Sequence, residues 1–226
     1  MSNYVNIDVS PKNISDKVYL KLREMLFNRD IVPGQKLQYQ DIADICNVSR
    51  TPVKEAFQMM SKEGYLELKP QKGFYVAEIK PKEIEELYDV RIALELTAVK
   101  NAIEHQNSVK LRKLRETIDI HADDAVKPVT MRRLITDTNV HLAIAELSDN
   151  KTIYELLQLV FSKIYLNIKV ENLSKFRGRF SKREHLAIYE AIVLKNISLA
   201  KKRLYKHIIA SRANDLNAQS YLLAKW

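Results

Sequence analysis

Three histidines and one aspartate after residue 130 have the residue types and spacing of a metal site. Asp137 and His141 are four residues apart in a predicted helix, so both side chains project from the same side. His185 and His207 lie on the two predicted helices that flank a short turn at Asn196. Each is about 14–15 Å along its helix from that turn, so an antiparallel pair brings the two imidazoles level. One carboxylate and three imidazoles suit a divalent transition ion such as Zn²⁺, Ni²⁺, Mn²⁺ or Fe²⁺ better than Ca²⁺ or Mg²⁺.

Each of these side chains also has a simpler interpretation. Asp137 and His141 can form an intrahelical pair, and the other two histidines can be core or cap residues. An ionised Asp137 in the buried stripe of a helix needs a partner, because an unpaired charge in a core costs several kcal/mol. The four side chains are predicted to lie at similar heights along their helices and to face inward, which favours a shared site. The remaining histidines, His105 and His121, are predicted to face solvent.

The elements that must position these residues are six predicted helices that follow Pro81. All six prolines lie at or before residue 128, and three of the four glycines lie within the first 73 residues, so few helix breakers remain. The helices are predicted at about 82–105, 108–125, 129–148, 150–173, 181–194 and 197–222. The inward stripe of the first is predicted as Leu87, Val90, Leu94 and Val99. An all-helical antiparallel bundle over residues 79–226 is the architecture that these helices favour.

Residues 1–78 are predicted to form a separate winged helix-turn-helix domain, so the fold class is mainly α. Its helices are predicted at 14–28, about 40–46, and 49–62, followed by two short strands around the turn Pro70–Gly73. Asn47 suits the tight turn because asparagine tolerates the left-handed conformation. Ser49 is predicted to cap the third helix. Pro52 fits its first turn, where the missing N–H has no intrahelical partner in any case.

The outward face of this third helix carries side chains that suit DNA. Arg50, Lys54 and Gln58 are spaced i, i+4, i+8 and share one side. Arginine and lysine donate to guanine edges or phosphates, and serine and threonine donate to phosphate oxygens. A solvated surface helix is the alternative. The order of the elements, with Lys69 and Lys72 at the tip of a hairpin, favours DNA binding.

The run VSRTPVKEAFQMMSKEGYLEL, followed by KGFYV, resembles the signature of the GntR family of bacterial transcription regulators. The resemblance implies DNA contacts from Ser49, Arg50, Thr51 and Lys54 and, at the wing tip, from Lys72 and Gly73. Gln40 stands where the family commonly has a DNA-contacting arginine, and Lys54 stands where arginine is usual. Asn47 replaces the usual turn glycine.

The segments LITDTNVHLAIAELSDN, EHLAIYEAI and RLYKHI are similar to the FCD ligand-binding domain of the FadR subfamily. In that subfamily an aspartate and three histidines hold a metal inside a helical bundle, and a small carboxylate completes its coordination. The resemblance implies this role for Asp137, His141, His185 and His207. It implies that Arg91 lines the cavity and holds the effector carboxylate. An i, i+4 ion pair between Arg91 and Glu95 is an equal alternative. Lys195 replaces the glycine that usually ends the fifth helix of the bundle.

Composition narrows the class of protein. The chain has 226 residues, of which 46% are hydrophobic and 29% are charged, with a net charge of +9 that favours a polyanionic partner. No apolar run approaches the roughly 18 residues that a membrane span needs, and no signal peptide is apparent. The single cysteine, Cys46, excludes an internal disulfide and suits the reducing cytoplasm.

The sequence therefore predicts a cytoplasmic, homodimeric repressor that binds a pseudo-palindromic double-stranded DNA operator. A small carboxylate effector at the metal would change the separation of the two DNA-reading helices. A metal-dependent hydrolase or lyase using the same aspartate and histidines is the alternative. The absence of an HExxH motif opposes it, and so does Glu184, predicted to point about 100° away from His185. A metal-free fatty-acyl sensor would have apolar residues in place of the histidines.

Overall fold

The computed structural model describes residues 11–78, 80–125, 131–166 and 177–223. The chain divides into two compact units, one built mainly from residues before Lys80 and the other mainly from Lys80 onward. The first unit combines helices with a small sheet, and the described part of the second unit is helical. This confirms the predicted fold class. Among the described residues, no helix is both long enough and apolar enough to cross a membrane.

The first unit is a winged helix-turn-helix. Its elements are α1 (Ile14–Asn28), β1 (Lys36–Leu37), α2 (Tyr39–Cys46), α3 (Arg50–Lys62), β2 (Leu66–Lys69) and β3 (Gly73–Val76). The three strands pair antiparallel in the order β1-β3-β2. The inner face of α3 is buried as predicted, at Val53, Ala56, Phe57 and Met60. The Phe57 ring lies 5.3 Å from the Phe74 ring, centroid to centroid, so α3 and the β2–β3 hairpin pack on one core.

The turn residue Asn47 and the cap residue Ser49 lie where the sequence predicts them. Asn47 has φ 52 and Gly73 has φ 94, both in the left-handed region that asparagine tolerates and glycine favours. Ser49 holds the N-cap position of α3 as predicted, although its side chain makes no capping hydrogen bond. The strand β1 was missed because two residues are too short to show alternation. Its position comes from pairing with β3, Lys36 opposite Tyr75.

The second unit contains six helices in its described residues. They are α4 (Pro81–Glu104), α5 (Ser108–Ala125), α6 (Met131–Leu147), α7 (Lys151–Leu166), α8 (Arg177–Val193) and α9 (Ile197–Leu223). Their bounds lie close to the predicted ones, although α8 includes four residues before the predicted start. The predicted ends at 129–130 and 167–173 lie outside the described residues.

The predicted inward stripe of α4 is wrong. Val90 is 48% exposed and Leu87 and Leu94 are only half-buried, whereas Val99 is buried as expected. The buried face instead runs through Ile84, Tyr88, Arg91, Glu95, Ala98, Val99, Ala102 and Ile103. Its spacing is helical, but it contains an arginine and a glutamate. Choosing the stripe by hydrophobicity therefore selected a neighbouring face of the helix.

Packing between the helices brings the candidate residues together. Helix α4 packs against α6 and α9, α5 packs against α6 and α8, and α8 packs against α9. A tight turn joins α8 to α9, with Lys195 at φ 54. Asn196 caps α9 as predicted, because its Oδ1 accepts the N–H of Leu199 at 3.0 Å. The turn folds α8 and α9 into the antiparallel pair that was predicted to bring His185 and His207 level.

Candidate metal centre and DNA-binding face

The structure brings Asp137, His141, His185 and His207 together from α6, α8 and α9. Each offers one ligand atom, and these four atoms all lie within 4.8 Å of one another. The three histidines are each 1% exposed, and the Asp137 side chain is 21% exposed. The convergence inferred from helix levels is therefore present in the fold.

The separations between these atoms match those between ligands of one ion. His207 Nε2 lies 3.1 Å from His141 Nε2 and 3.3 Å from His185 Nε2. The Asp137 oxygens lie 3.7 Å from His141 Nε2 and 3.8 Å from His185 Nε2. Ligands bound at 2.0–2.1 Å in a tetrahedral arrangement are about 3.3 Å apart. The residues present fit a divalent transition metal in distance and in donor type.

Two carboxylates fix the orientation of two of the three histidine rings. His141 Nδ1–H donates to Glu95 Oε2 at 2.6 Å, and His207 Nδ1–H donates to Glu184 Oε2 at 2.7 Å. With Nδ1 protonated, each neutral ring has its one lone pair on Nε2, the atom that can bind a metal, and the two Nε2 atoms lie 3.1 Å apart. Two nitrogens at this separation can bind one cation together. Carboxylate partners of this kind are usual behind metal-binding histidines.

Glu184 points away from His185 as predicted, yet it contacts another histidine of the cluster. Glu184 does lie on a different face of α8 from His185, but that face meets α9, where Glu184 contacts His207. The sequence analysis predicted Glu95 only as an ion-pair partner of Arg91. Neither contact follows from spacing within one helix, because each joins residues of different helices.

Burial and neighbouring charges shift the pKa values of the groups in the cluster in different directions. Burial lowers the pKa of His141, but the Glu95 carboxylate outweighs burial and raises it. Burial raises the pKa of Glu95, but His141 and Arg91 outweigh burial and bring that pKa down to about 2. Glu95 is thus an ionised acceptor for His141. Burial, together with the neighbouring His207, holds the pKa of His185 well below its usual value. His185 is therefore neutral, the form in which imidazole binds metals.

His121 also lies at this centre, so the prediction that it faces solvent is wrong. It is 1% exposed, and its Nε2 lies 2.8 Å from Ser181 Oγ and 3.4 Å from Asp137 Oδ1. Asp123 and Asp124, which follow it, suggested a polar surface. A stripe on α5 carried the opposite signal, because the buried residues Leu114, Ile118, His121 and Ala122 have helical spacing. His105, by contrast, is exposed as predicted.

Ser181 is a further residue that sequence reasoning missed. Its hydroxyl donates to Asp137 Oδ1 at 2.8 Å, and the residue is 4% exposed. Ser181 precedes His185 by one helical turn, so both face the cluster from α8. That i, i+4 spacing was the available signal. Ser181 and His121 together hold the Asp137 carboxylate from the side of α5 and α8.

Arg91 lies beside the cluster, inside the bundle. Its Nε donates to Glu95 Oε1 at 2.6 Å, so the predicted ion pair with Glu95 is present. Its Nη2 lies 3.0 Å from His141 Nε2. The guanidinium carbon is 4.5 Å from the centroid of the Phe161 ring and 5.2 Å from that of the Tyr88 ring. Binding of an effector by Arg91 stays a prediction.

The side chains predicted to bind DNA are exposed on the first unit. They are Ser49, Arg50, Thr51 and Lys54 around the start of α3, Gln40 on α2, and Lys72 in the β2–β3 turn, with Gly73 half-buried beside it. Gln40 Oε1 accepts the Nε–H of Arg50 at 2.6 Å, and Gln40 Nε2 donates to Asp44 Oδ1 at 2.6 Å. Gln40 therefore orients Arg50, a role that the sequence did not indicate.

Comparisons with known proteins agree with both units. Residues 14–76 match the bacterial regulatory proteins of the gntR family, and residues 86–210 match the FCD domain. The uncharacterized HTH-type transcriptional regulator YdhC of Bacillus subtilis (strain 168) is 28% identical over 191 residues, which span 84% of this chain and 85% of that protein. The Nta operon transcriptional regulator of Aminobacter aminovorans is 26% identical over 156 residues, 69% of this chain and 72% of that protein.

A solved structure with the same fold is E. coli McbR/YncC, with a TM-score of 0.79 and 22% identity over 93% of this chain and 100% of that chain. The families and relatives named here are those of transcription regulators, and none of them supports the hydrolase or lyase alternative. This chain belongs to the GntR family of bacterial regulatory proteins and is a transcription regulator whose helical unit is an FCD domain.

Proposed function

We propose that this protein is a metabolite-responsive regulator of the FadR subfamily, with Asp137, His141, His185 and His207 holding a divalent metal. The observation that carries the proposal is the 3.1 Å approach of the Nε2 atoms of His141 and His207, each on a ring whose Nδ1–H is held by a carboxylate. The donor set favours Zn²⁺, Ni²⁺, Mn²⁺ or Fe²⁺. When bound, the metal supplies a Lewis acid that attracts the carboxylate of a small acid.

The residues around the metal would select the acid. Arg91 is a buried cation next to His141, and a guanidinium suits bidentate recognition of a carboxylate. The acid must bind one conformation of the protein more tightly than another, because a ligand with equal affinity for both shifts nothing. The function proposed for the acid is thus to change the affinity of the regulator for DNA.

The DNA partner proposed is a pseudo-palindromic operator bound by a homodimer. Arg50, Thr51 and Lys54 are exposed at the start of α3, the helix that enters the major groove in helix-turn-helix proteins. Lys72 in the hairpin turn would contact the phosphate backbone. Two-fold symmetry of the dimer would place two such helices on two half-sites.

Small acids should stabilise the protein against heat only when metal is present. Saturation of one site at 100 times the dissociation constant contributes about 2.7 kcal/mol, which corresponds to several degrees in Tm. We expect a thermal-shift screen of hydroxy acids, sugar acids and dicarboxylates to find such a shift with zinc-loaded protein. Chelator-stripped protein should show none. Equal stabilisation of the stripped protein would show that the acid does not need the metal, and neutral amides of the same acids serve as the control.

Ser181→Ala should weaken metal binding about 10–100-fold, the usual effect of removing a partner of a metal ligand. The hydroxyl that orients Asp137 is lost, whereas alanine favours the helix. Chelator competition measures the affinity. Ser148→Ala is the matched control, because Ser148 is equally buried but donates to the backbone oxygen of Ala145. Unchanged affinity in Ser181→Ala would remove this serine from the centre.

A further inference from the structure

Arg91 and a metal ion require the same pair of electrons on His141. The Nδ1–H of His141 is donated to Glu95 Oε2 at 2.6 Å, which leaves one lone pair on Nε2. The Nη2 of Arg91 lies 3.0 Å from that Nε2. A guanidinium has only donors and remains charged in proteins, so His141 Nε2 is the acceptor of this hydrogen bond.

The lone pair on His141 Nε2 that accepts the Arg91 N–H is also the one that a metal would bind. An ion bound to His141 lies about 2.0–2.1 Å from Nε2 along its lone pair. The Arg91 N–H already uses that lone pair at an N···N distance of 3.0 Å, and two cations cannot share one lone pair. Binding of a metal by the cluster therefore requires Arg91 Nη2 to leave His141.

Other contacts retain the guanidinium near the centre when Nη2 leaves. Arg91 Nε donates to Glu95 Oε1 at 2.6 Å, and the side chains of this pair are 3% and 2% exposed. The rings of Phe161 and Tyr88 contact the guanidinium at 4.5 and 5.2 Å. Glu95 thus anchors Arg91 through one oxygen and His141 through the other. A turn about the Nε–Glu95 hydrogen bond moves Nη2 and leaves the ion pair in place.

Building on the proposed metal and effector site, we propose that Arg91 is an exchangeable cap on the metal centre. Its Nη2–H occupies His141 Nε2 until a metal displaces it, and the displaced N–H then becomes available to the carboxylate of the acid. Metal and acid consequently bind with positive coupling, and each strengthens the other by the same factor. The cost of displacing Arg91 lowers the affinity for metal when no acid is bound.

Arg91→Lys tests the exchange without changing the charge of the side chain. A lysine ammonium reaches about as far as Arg91 Cζ, one bond short of Nη2, so it retains a cation beside Glu95 but withdraws the donor from His141 Nε2. Loss of a hydrogen bond to a charged group changes an equilibrium constant about tenfold or more. Arg91→Lys should therefore bind Zn²⁺ about tenfold more tightly than the wild type in chelator competition without acid. Arg115→Lys, at an exposed ion pair with Asp119, should leave the zinc affinity unchanged.

Failure of the exchange is distinguishable from failure of the metal centre. A wild-type protein that takes up no zinc contradicts the centre itself. Equal or weaker zinc affinity in Arg91→Lys, with a wild type that does bind zinc, overturns the exchange alone. If circular dichroism shows that the variant does not fold, a zinc titration of the wild-type protein followed by NMR tests the exchange instead. The Arg91 side-chain N–H signals in ¹⁵N NMR spectra must shift with one equivalent of Zn²⁺, whereas those of Arg115 must not, and an unchanged Arg91 signal overturns the exchange.

Discussion

His207→Ala is expected to lose nearly all the metal that the wild-type protein retains, about one divalent ion per chain. His207 Nε2 lies within 3.3 Å of both His141 Nε2 and His185 Nε2, so its removal takes away the central nitrogen of the cluster. The loss in affinity should exceed the about 10–100-fold that follows from changing a partner of a ligand. Elemental analysis of both purified proteins measures the difference.

His207 is a better choice for this test than His141. The carboxylate that contacts His207 is Glu184, whose side chain is 31% exposed and can be solvated when His207 is removed. Removing His141 would leave the buried Glu95 with one partner fewer. His105→Ala is the matched control, since His105 is an exposed histidine at the end of α4. Equal metal content in His207→Ala and the wild type would refute the four-residue site.

Arg50→Ala is expected to reduce operator affinity by about 1–3 kcal/mol, which is about 5–150-fold. Arg50 is exposed in the first turn of α3, and Gln40 holds its Nε at 2.6 Å. A preorganised arginine loses less entropy on binding, so its truncation should cost more than the loss of a mobile side chain. Fluorescence anisotropy with an operator fragment at fixed salt measures the effect.

Lys62→Ala provides the control for charge alone. Lys62 is exposed in the last turn of the same helix, so this variant loses one positive charge far from the N-terminal face. It should weaken binding to any DNA slightly through the salt-dependent phosphate contribution. Equal losses in the Arg50 and Lys62 variants would mean that the assigned face of α3 does not read the DNA.

The sequence predicted the elements and the four cluster residues for a physical reason. All six prolines lie at or before residue 128, and Gly178 is the one glycine after residue 73, so the helices of the bundle could be located from the few breaks between them. Helix rise then places residues at calculable levels. His185 and His207 lie at similar distances from one turn, and Asp137 and His141 differ by one helical turn. The position of a residue along and around its helix depends only on the nearby sequence, so it could be predicted without the structure.

The supporting residues were missed because their roles depend on contacts between helices. Glu95 on α4 contacts His141 on α6, and Glu184 on α8 contacts His207 on α9. Spacing within α5 places His121 on a buried stripe, but its contacts with Asp137 on α6 and Ser181 on α8 depend on packing between helices. Hydrophobicity also assigns charged residues to the surface, and α4 reverses that expectation by burying Arg91 together with its partner. Hydrogen bonds offset the cost of burying an ion pair, and three of them join Arg91, Glu95 and His141.

The most direct test of the metal centre is anomalous diffraction from crystals of the zinc-loaded protein, recorded on both sides of the zinc absorption edge. The proposed site predicts one strong peak per chain, about 2.0–2.2 Å from the Nε2 atoms of His141, His185 and His207 and from an oxygen of Asp137. A peak bound to other residues, or no peak among these four, would contradict it.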